Sequence, residues 1–201
     1  MVFNAEQIDG LPELEAKPLP EWQRHERAEK ILTNSGVPIQ HDQYDNAYYC
    51  PATDSIHLPA KNQFETADNY YASALHELCH SSGSEGRLNR DLSGRFGDKS
   101  YAKEELRAEI GSLMLGDELQ IGHSFGQHAA YVDAWIQVLK DDPREILRAS
   151  RDAEKIQDFV LELEKENSVS NNQFSGLHFE TNNKSSIQTL TKTQSQSEQT
   201  L

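Results

Sequence analysis

Residues 67–83 read ADNYYASALHELCHSSG, and the reading of His76-Glu77-Leu78-Cys79-His80 within them decides the rest. Residues four apart on an α-helix lie one turn above each other. His76 and His80 can therefore offer two imidazoles to one ion while Glu77 flanks them. That is the HExxH arrangement suited to Zn2+: two histidine ligands, an open position for water, and a carboxylate that accepts the water's proton as it attacks a carbonyl. The helix is expected to start near Thr66 or Asp68, whose side chains can accept from free backbone N–H groups. It is expected to stop at Gly83, which permits a sharp turn. No proline interrupts the ligand face. Cys79 points about 100° away from His80, so it is expected to be a buried, inert thiol rather than a ligand.

Two histidines are too few for a stable catalytic ion, and the stretch KEELRAEIGS at 103–112 supplies carboxylates. With the apolar face of that helix centred on Leu106, Ile110 and Leu113, Glu104 points outward while Glu105 and Glu109 lie toward the buried side. Carboxylates near a core need partners. A metal and a metal-bound histidine would provide them, one glutamate coordinating and the other accepting the second N–H of an imidazole. Spacing alone leaves open which does which. His128, Tyr131 and Trp135 share one helical face. His128 or Tyr131 could donate to a developing oxyanion, whereas Trp135 reads as a core aromatic.

Outward from these motifs, Trp22 to about Asn34 has Trp22, Ala28, Ile31 and Leu32 at nearly helical spacing, ended by Gly36 and Pro38. From Val37 to Leu58 short runs rich in Val, Ile and Tyr alternate with turn residues, which predicts a small, largely antiparallel sheet. The strand near Ser55–Leu58 could take up an extended peptide along a sheet edge or serve as a plain hairpin. Further helices are expected over about 101–119, 127–140 and 143–165. The last is opened by a capping box of Asp142 with Glu145 and carries an apolar stripe of Ile146, Ala149, Ala153, Ile156, Val160 and Leu163. The sum is an α+β fold: a small antiparallel or mixed sheet packed on several helices. Residues 1–20, with Pro12, Pro18 and Pro20, read as an extended arm, 21–166 as the folded domain, and 167–201, rich in Ser, Thr, Asn and Gln, as a disordered tail.

The 201 residues suit one domain, and their formal charge of −14 would repel a phosphate backbone, so direct nucleic-acid binding is not expected. No run approaches the roughly 20 apolar residues of a membrane span. The N-terminus lacks the basic start and apolar core of a signal peptide, and the two cysteines, Cys50 and Cys79, read as free thiols. A cytoplasmic protein is expected.

HELCH followed by Arg87-Leu88-Asn89-Arg90, then YAKEELRAEIGSLML at 101–115 and HAAYVDAWIQVLKDDP at 128–143, closely resembles the C-terminal metallopeptidase domain of ArdC-type plasmid antirestriction proteins. Those domains are zincin-like peptidases found in polyvalent proteins of mobile elements. The resemblance runs from about Val2 to Leu163, and VFNAEQIDGLP is similar to the junction leading out of that family's N-terminal domain. The family's single-stranded-DNA-binding domain is absent from these residues, so DNA binding is not carried over. The resemblance implies a zincin-like fold, a Zn2+ cofactor, Glu105 as the third ligand and Glu109 as the partner of a ligand histidine.

Two functions follow as expectations. The first is a zinc metallopeptidase acting on a peptide or protein substrate, with Glu77 moving the proton. The second is an antirestriction-type protein-binding or DNA-mimic module whose zinc site is structural or vestigial. Glu77 separates them, because a purely structural zinc has no use for a general base. A nuclease would require a paired-metal carboxylate cluster that the motif lacks.

Overall fold

The computed structural model describes residues 19–122 and 131–165. Most of the expected arm, His128 and the expected tail over 167–201 lie outside the described residues. The architecture is α+β. In chain order the elements are α1 (Glu21–Asn34), β1 (Ile39–Gln43), β2 (Tyr48–Cys50), β3 (Ser55–Pro59), a 3-10 turn at Lys61–Gln63, α2 (Ala67–Ser81), α3 (Lys99–Glu118), α4 (Val132–Asp141) and α5 (Glu145–Leu163).

The sheet is mixed rather than largely antiparallel. β3 lies at its centre, parallel to β1 with Ile39 opposite Ile56, and antiparallel to β2 with Tyr49 opposite Ile56. Ser55–Leu58 is thus paired on both sides and offers no free edge. The reason is topological: the chain passes from β1 to the outer β2 and then returns between the two. The edge strand nearest the HELCH helix is β2.

Helix α2 begins where its sequence suggests, with the Thr66 hydroxyl accepting from the Asn69 N–H at 3.1 Å. It ends at Ser81 with Ser82 as cap, just before Gly83 as expected, but not by way of a left-handed glycine. The last turn closes through Ser82 and Gly83 N–H groups bonded to Leu78 and His80 carbonyls, and Gly83 is not among the residues with positive φ. A side chain at Gly83 would instead meet Leu92 and Arg90: an added Cβ would stand 2.9 Å from Leu92 Cδ2, 3.0 Å from Arg90 Nη2 and 3.1 Å from its Cζ.

The core gathers Ile31 of α1, Ile56 and Leu58 of β3, Leu75 and Leu78 of α2, Leu115 of α3, and Ile156 and Val160 of α5, all essentially fully buried. Each such side chain stabilises the fold by about 1.5–3 kcal/mol. Helix α3 runs through the middle, packed on α2, α4 and α5. Because it is covered on more than one side, its buried face includes Glu104, Glu105, Ala108, Glu109, Ser112 and Leu115, while Leu113 is 41% exposed. The outward orientation expected for Glu104 is therefore wrong: an apolar face centred on Leu113 assumed a helix covered on one side. Gly111 permits the close α3–α5 approach, since a Cβ there would lie 3.2 Å from Ile156 Cγ2.

Two smaller expectations also fail. Trp22 and Ile146 are exposed rather than part of the apolar stripes of α1 and α5. The capping box at Asp142 is only half formed. Asp142 Oδ1 accepts from the Arg144 N–H at 3.0 Å, but Glu145 is buried and accepts from Arg107 Nη2 at 2.7 Å and Arg148 Nε at 2.9 Å. A charge pair between helices has replaced the local cap.

Candidate metal centre

The HELCH residues occupy the last turns of α2, where the one-turn offset brings the His76 and His80 rings to 4.9 Å between centroids. Helix α3 crosses them so that the Glu105 carboxylate faces both. Its Oε1 lies 3.3 Å from His80 Nε2 and its Oε2 3.8 Å from His76 Nε2. One ligand atom from each of the three residues falls within 4.8 Å of the others. The opposite ring nitrogens meet further carboxylates. Nδ1 of His76 is 3.6 Å from Glu109 Oε2 and 3.4 Å from Ser112 Oγ. Nδ1 of His80 is 3.3 Å from Glu104 Oε1.

Four carboxylates, Glu77, Glu104, Glu105 and Glu109, are thus buried around two imidazoles, each residue between 5% and 8% exposed. Arg90 donates to both oxygens of Glu104. That much buried negative charge is costly unless offset. A divalent cation held by two imidazole nitrogens and a carboxylate oxygen fits both the charge and the donor set.

The local electrostatics favour positive charge at His80. Burial disfavours the imidazolium of His80, but the carboxylates of Glu104 and Glu105 outweigh it and raise its pKa well above the ordinary histidine value. Burial pushes Glu105 up, yet hydrogen bonding with His76 and His80 prevails and holds it far below the usual carboxylate range. Glu77 accepts no hydrogen bond among the described residues, so its carboxylate is left to the cleft.

That cleft measures about 500 Å³. Its floor is α2, one wall is β2 with the turn before it, and the other is the loop at Asp91–Gly94 together with α3 and Tyr131. The hydroxyls of Tyr101 and Tyr131 are 3.3 Å apart on the wall. Burial, with Tyr131 bonding, raises the pKa of Tyr101 above the phenol range, and burial raises that of Tyr131 despite its bond to Tyr101. Both remain neutral hydroxyls at physiological pH.

The model of the zincin-like metallopeptidases matches residues 26–152, spanning both α2 and α3. The chain belongs to that family. Two Escherichia coli proteins named DNA primase TraC are similar to it, at 64% and 58% identity over 164 residues. Those alignments cover 82% of this chain but 15% and 11% of the TraC proteins, so the zincin-like chain corresponds to a small part of their length. An uncharacterized protein of Sinorhizobium fredii, y4eC, is 41% identical over 79% of this chain and 52% of its own length. Among solved structures, the antirestriction protein ArdC of plasmid R388 aligns with a TM-score of 0.66 at 41% identity, over 82% of this chain and 60% of that one in its metal-free form. It has also been solved with Mn(II) bound.

Of the residues singled out in the sequence, His76, Glu77, His80, Glu105, Glu109 and Tyr131 converge on one cleft or its immediate support, and His128 lies outside the described residues. Cys79 is turned to the core, where burial pushes its thiol pKa up, and it and Cys50 are free thiols. Among the described residues no helix is long and apolar enough to cross a membrane. The sequence reading missed Tyr101, Ser112, Glu104 and Arg90. The first two were within reach, since Tyr101, Glu105, Glu109 and Ser112 recur at offsets of four, four and three along one helical face. Arg90 stands out in the sequence only as part of the Arg87–Arg90 run, because its role depends on how the loop after α2 folds back.

Proposed function

We propose that this zincin-like domain is a Zn2+-dependent metallopeptidase. The observation that carries the reading is Glu77: a buried carboxylate beside the His76, His80 and Glu105 donor set, facing an open cleft. A structural metal site has no need of it. When bound, a divalent cation supplies Lewis acidity, acidifying water and polarising a carbonyl oxygen. His76, His80 and Glu105 would hold the ion, with Glu109 fixing His76 through Nδ1. Glu77 accepts the proton of the attacking water and passes it to the leaving amine. Tyr131, with Tyr101 bonded to it, supplies neutral O–H donors for the oxyanion, and His128 is a further donor candidate on the same segment.

The substrate is a peptide or protein segment in extended form, which would pair along the free edge of β2 beside Tyr48 and Tyr49. Zinc is preferred over manganese by its greater affinity for imidazole donors. Two free thiols suit a cytoplasmic setting. The test is to measure the metal content of the purified protein and screen a proteome-derived peptide library with the parent and Glu77→Gln. The parent should cleave, and the variant should keep its zinc yet lose on the order of 10²-fold or more of the rate.

A second reading has two supports: the relative ArdC is named for antirestriction, and the chain's −14 charge suits a protein-partner or DNA-mimic mode better than DNA binding. In it, the metal site stabilises a binding module. A Glu77→Gln variant equal to the parent in every assay, including protection of incoming DNA in cells, would favour this reading over hydrolysis.

A further inference from the structure

Resting on the metal-site reading above, we infer that Glu104, clamped by Arg90, is the positioning residue for His80, so that each ligand histidine has its own carboxylate partner. The pairing is symmetric in kind. Each ring turns Nε2 toward Glu105, and each Nδ1 faces a separate glutamate of α3: Glu109 for His76 and Glu104 for His80. An imidazole that ligates through Nε2 must carry its proton on Nδ1, and a carboxylate accepting from that N–H fixes both tautomer and ring angle.

Glu104 can do this because it is itself immobilised. Arg90 Nε donates to Oε2 at 3.0 Å and Nη2 to Oε1 at 2.7 Å, a two-pronged pairing of fork and carboxylate. The same guanidinium donates through Nη2 to the Cys79 carbonyl at 2.7 Å and through Nη1 to Ser82 Oγ at 2.9 Å. Arg90 thus ties Glu104 of α3 to the end of α2 that carries His80. Its backbone N–H is anchored on the Gly83 carbonyl at 2.8 Å. Gly83 completes the device by absence of bulk. An alanine Cβ would press on Cζ and Nη2 of a guanidinium that four side-chain hydrogen bonds prevent from yielding. Arg90 also directly precedes Asp91 and Leu92 of the cleft wall, so the clamp joins that wall to the ligand.

The experiment compares the parent with Glu104→Gln and Gly83→Ala. Zinc affinity is measured by competition with a chromogenic chelator, folding by circular dichroism, and the His80 Nδ1–H resonance by NMR on zinc-loaded, 15N-histidine-labelled protein. Glu104→Gln removes the charge while keeping size. It should weaken zinc binding by about 10–100-fold and move the His80 Nδ1–H resonance upfield, leaving that of His76 in place. Gly83→Ala should shift the same resonance in the same direction through Arg90, since the atoms nearest the added Cβ belong to Arg90 and Leu92. Affinity within twofold of the parent in Glu104→Gln, with an unmoved His80 signal, would overturn the inference while leaving the metal site intact. Equal shifts of His76 and His80 would overturn it too, marking general loosening rather than positioning. A folded parent that takes up no zinc would overturn both this inference and the reading beneath it.

Discussion

Oε2 of Glu109 stands 3.6 Å from Nδ1 of His76, on the side of the ring away from Glu105. The two glutamates of α3 therefore address different nitrogens of the same imidazole, and their loss should not be equivalent. Replacing His76, His80 or Glu105 with Ala removes one of the three proposed ligands, and zinc content after dialysis should fall well below stoichiometric. Glu109→Ala should retain zinc with affinity weakened about 10–100-fold. Atomic absorption on the four variants checks this. An empty Glu109→Ala beside a full Glu105→Ala would reverse the assignment.

Zinc should stabilise the fold, because it offsets carboxylates that burial has left crowded. A ligand that binds only the folded state at 100 times its Kd adds about 2.7 kcal/mol. Thermal melts with excess zinc and with EDTA should separate by several degrees. Glu77→Gln should show the same separation, since Glu77 is not among the proposed ligands. Coincident melts for the parent would count against a metal that spans α2 and α3.

Gly116 lies inside α3, where Ala would ordinarily gain about 1 kcal/mol over Gly. Here the opposite is expected. An added Cβ would lie 2.4 Å from the carbonyl oxygen of Gly122, and that backbone is held by the Gly122 N–H bonded to the Gly116 carbonyl. Gly116→Ala should cost roughly 1–3 kcal/mol in a urea titration. A neutral or stabilised variant would show that the chain after α3 yields freely.

Acid should weaken the α3–α5 contact through Glu145, which is 2% exposed. Burial alone would raise its pKa, but Arg107 and Arg148 prevail and hold it below the ordinary value of 4.5. A depressed carboxylate contributes stability in full above its unfolded pKa and loses it as pH falls through the folded one. Glu145→Gln should accordingly be less stable than the parent near neutrality, by roughly 1–3 kcal/mol for lost hydrogen bonds to charged groups, since Arg107 keeps Asp152 and the half-exposed Arg148 keeps Asp142. The two proteins should converge as the pH drops below 4.5. Parallel denaturation curves across pH 3–7 would show that Glu145 contributes nothing through its charge.

How far the sequence went depended on whether a residue's neighbour lay in the same helix. His76, Glu77 and His80 are one turn apart, and helical geometry alone brings them together. Glu105 and Glu109 were separated from solvent by periodicity. Glu104 was misplaced because periodicity assumes one covered face, and α3 is packed against three other helices. Ser55–Leu58 is legible as a strand, but whether it serves as a free edge or a plain hairpin stays open in the sequence; it forms a hairpin with β2 and also pairs with β1, and local composition says nothing of which strand returns between two others. Arg90 was visible only as part of a motif, because its contacts arise from a loop that folds back over α2.

Tyr101, Glu104, Glu105, Glu109 and Ser112 all project from a single uninterrupted helix, so their mutual spacing is fixed by one screw axis. Each can be exchanged for another residue one at a time. A residue inserted or deleted between Glu105 and Glu109 is different in kind: it turns everything on one side of the change by about 100°. Glu105 would then lose its register with Ser112 and the α5 contact at Gly111 in the same step. Descent in this segment should therefore proceed by substitution at constant length, with insertions and deletions confined to the loops on either side of α3.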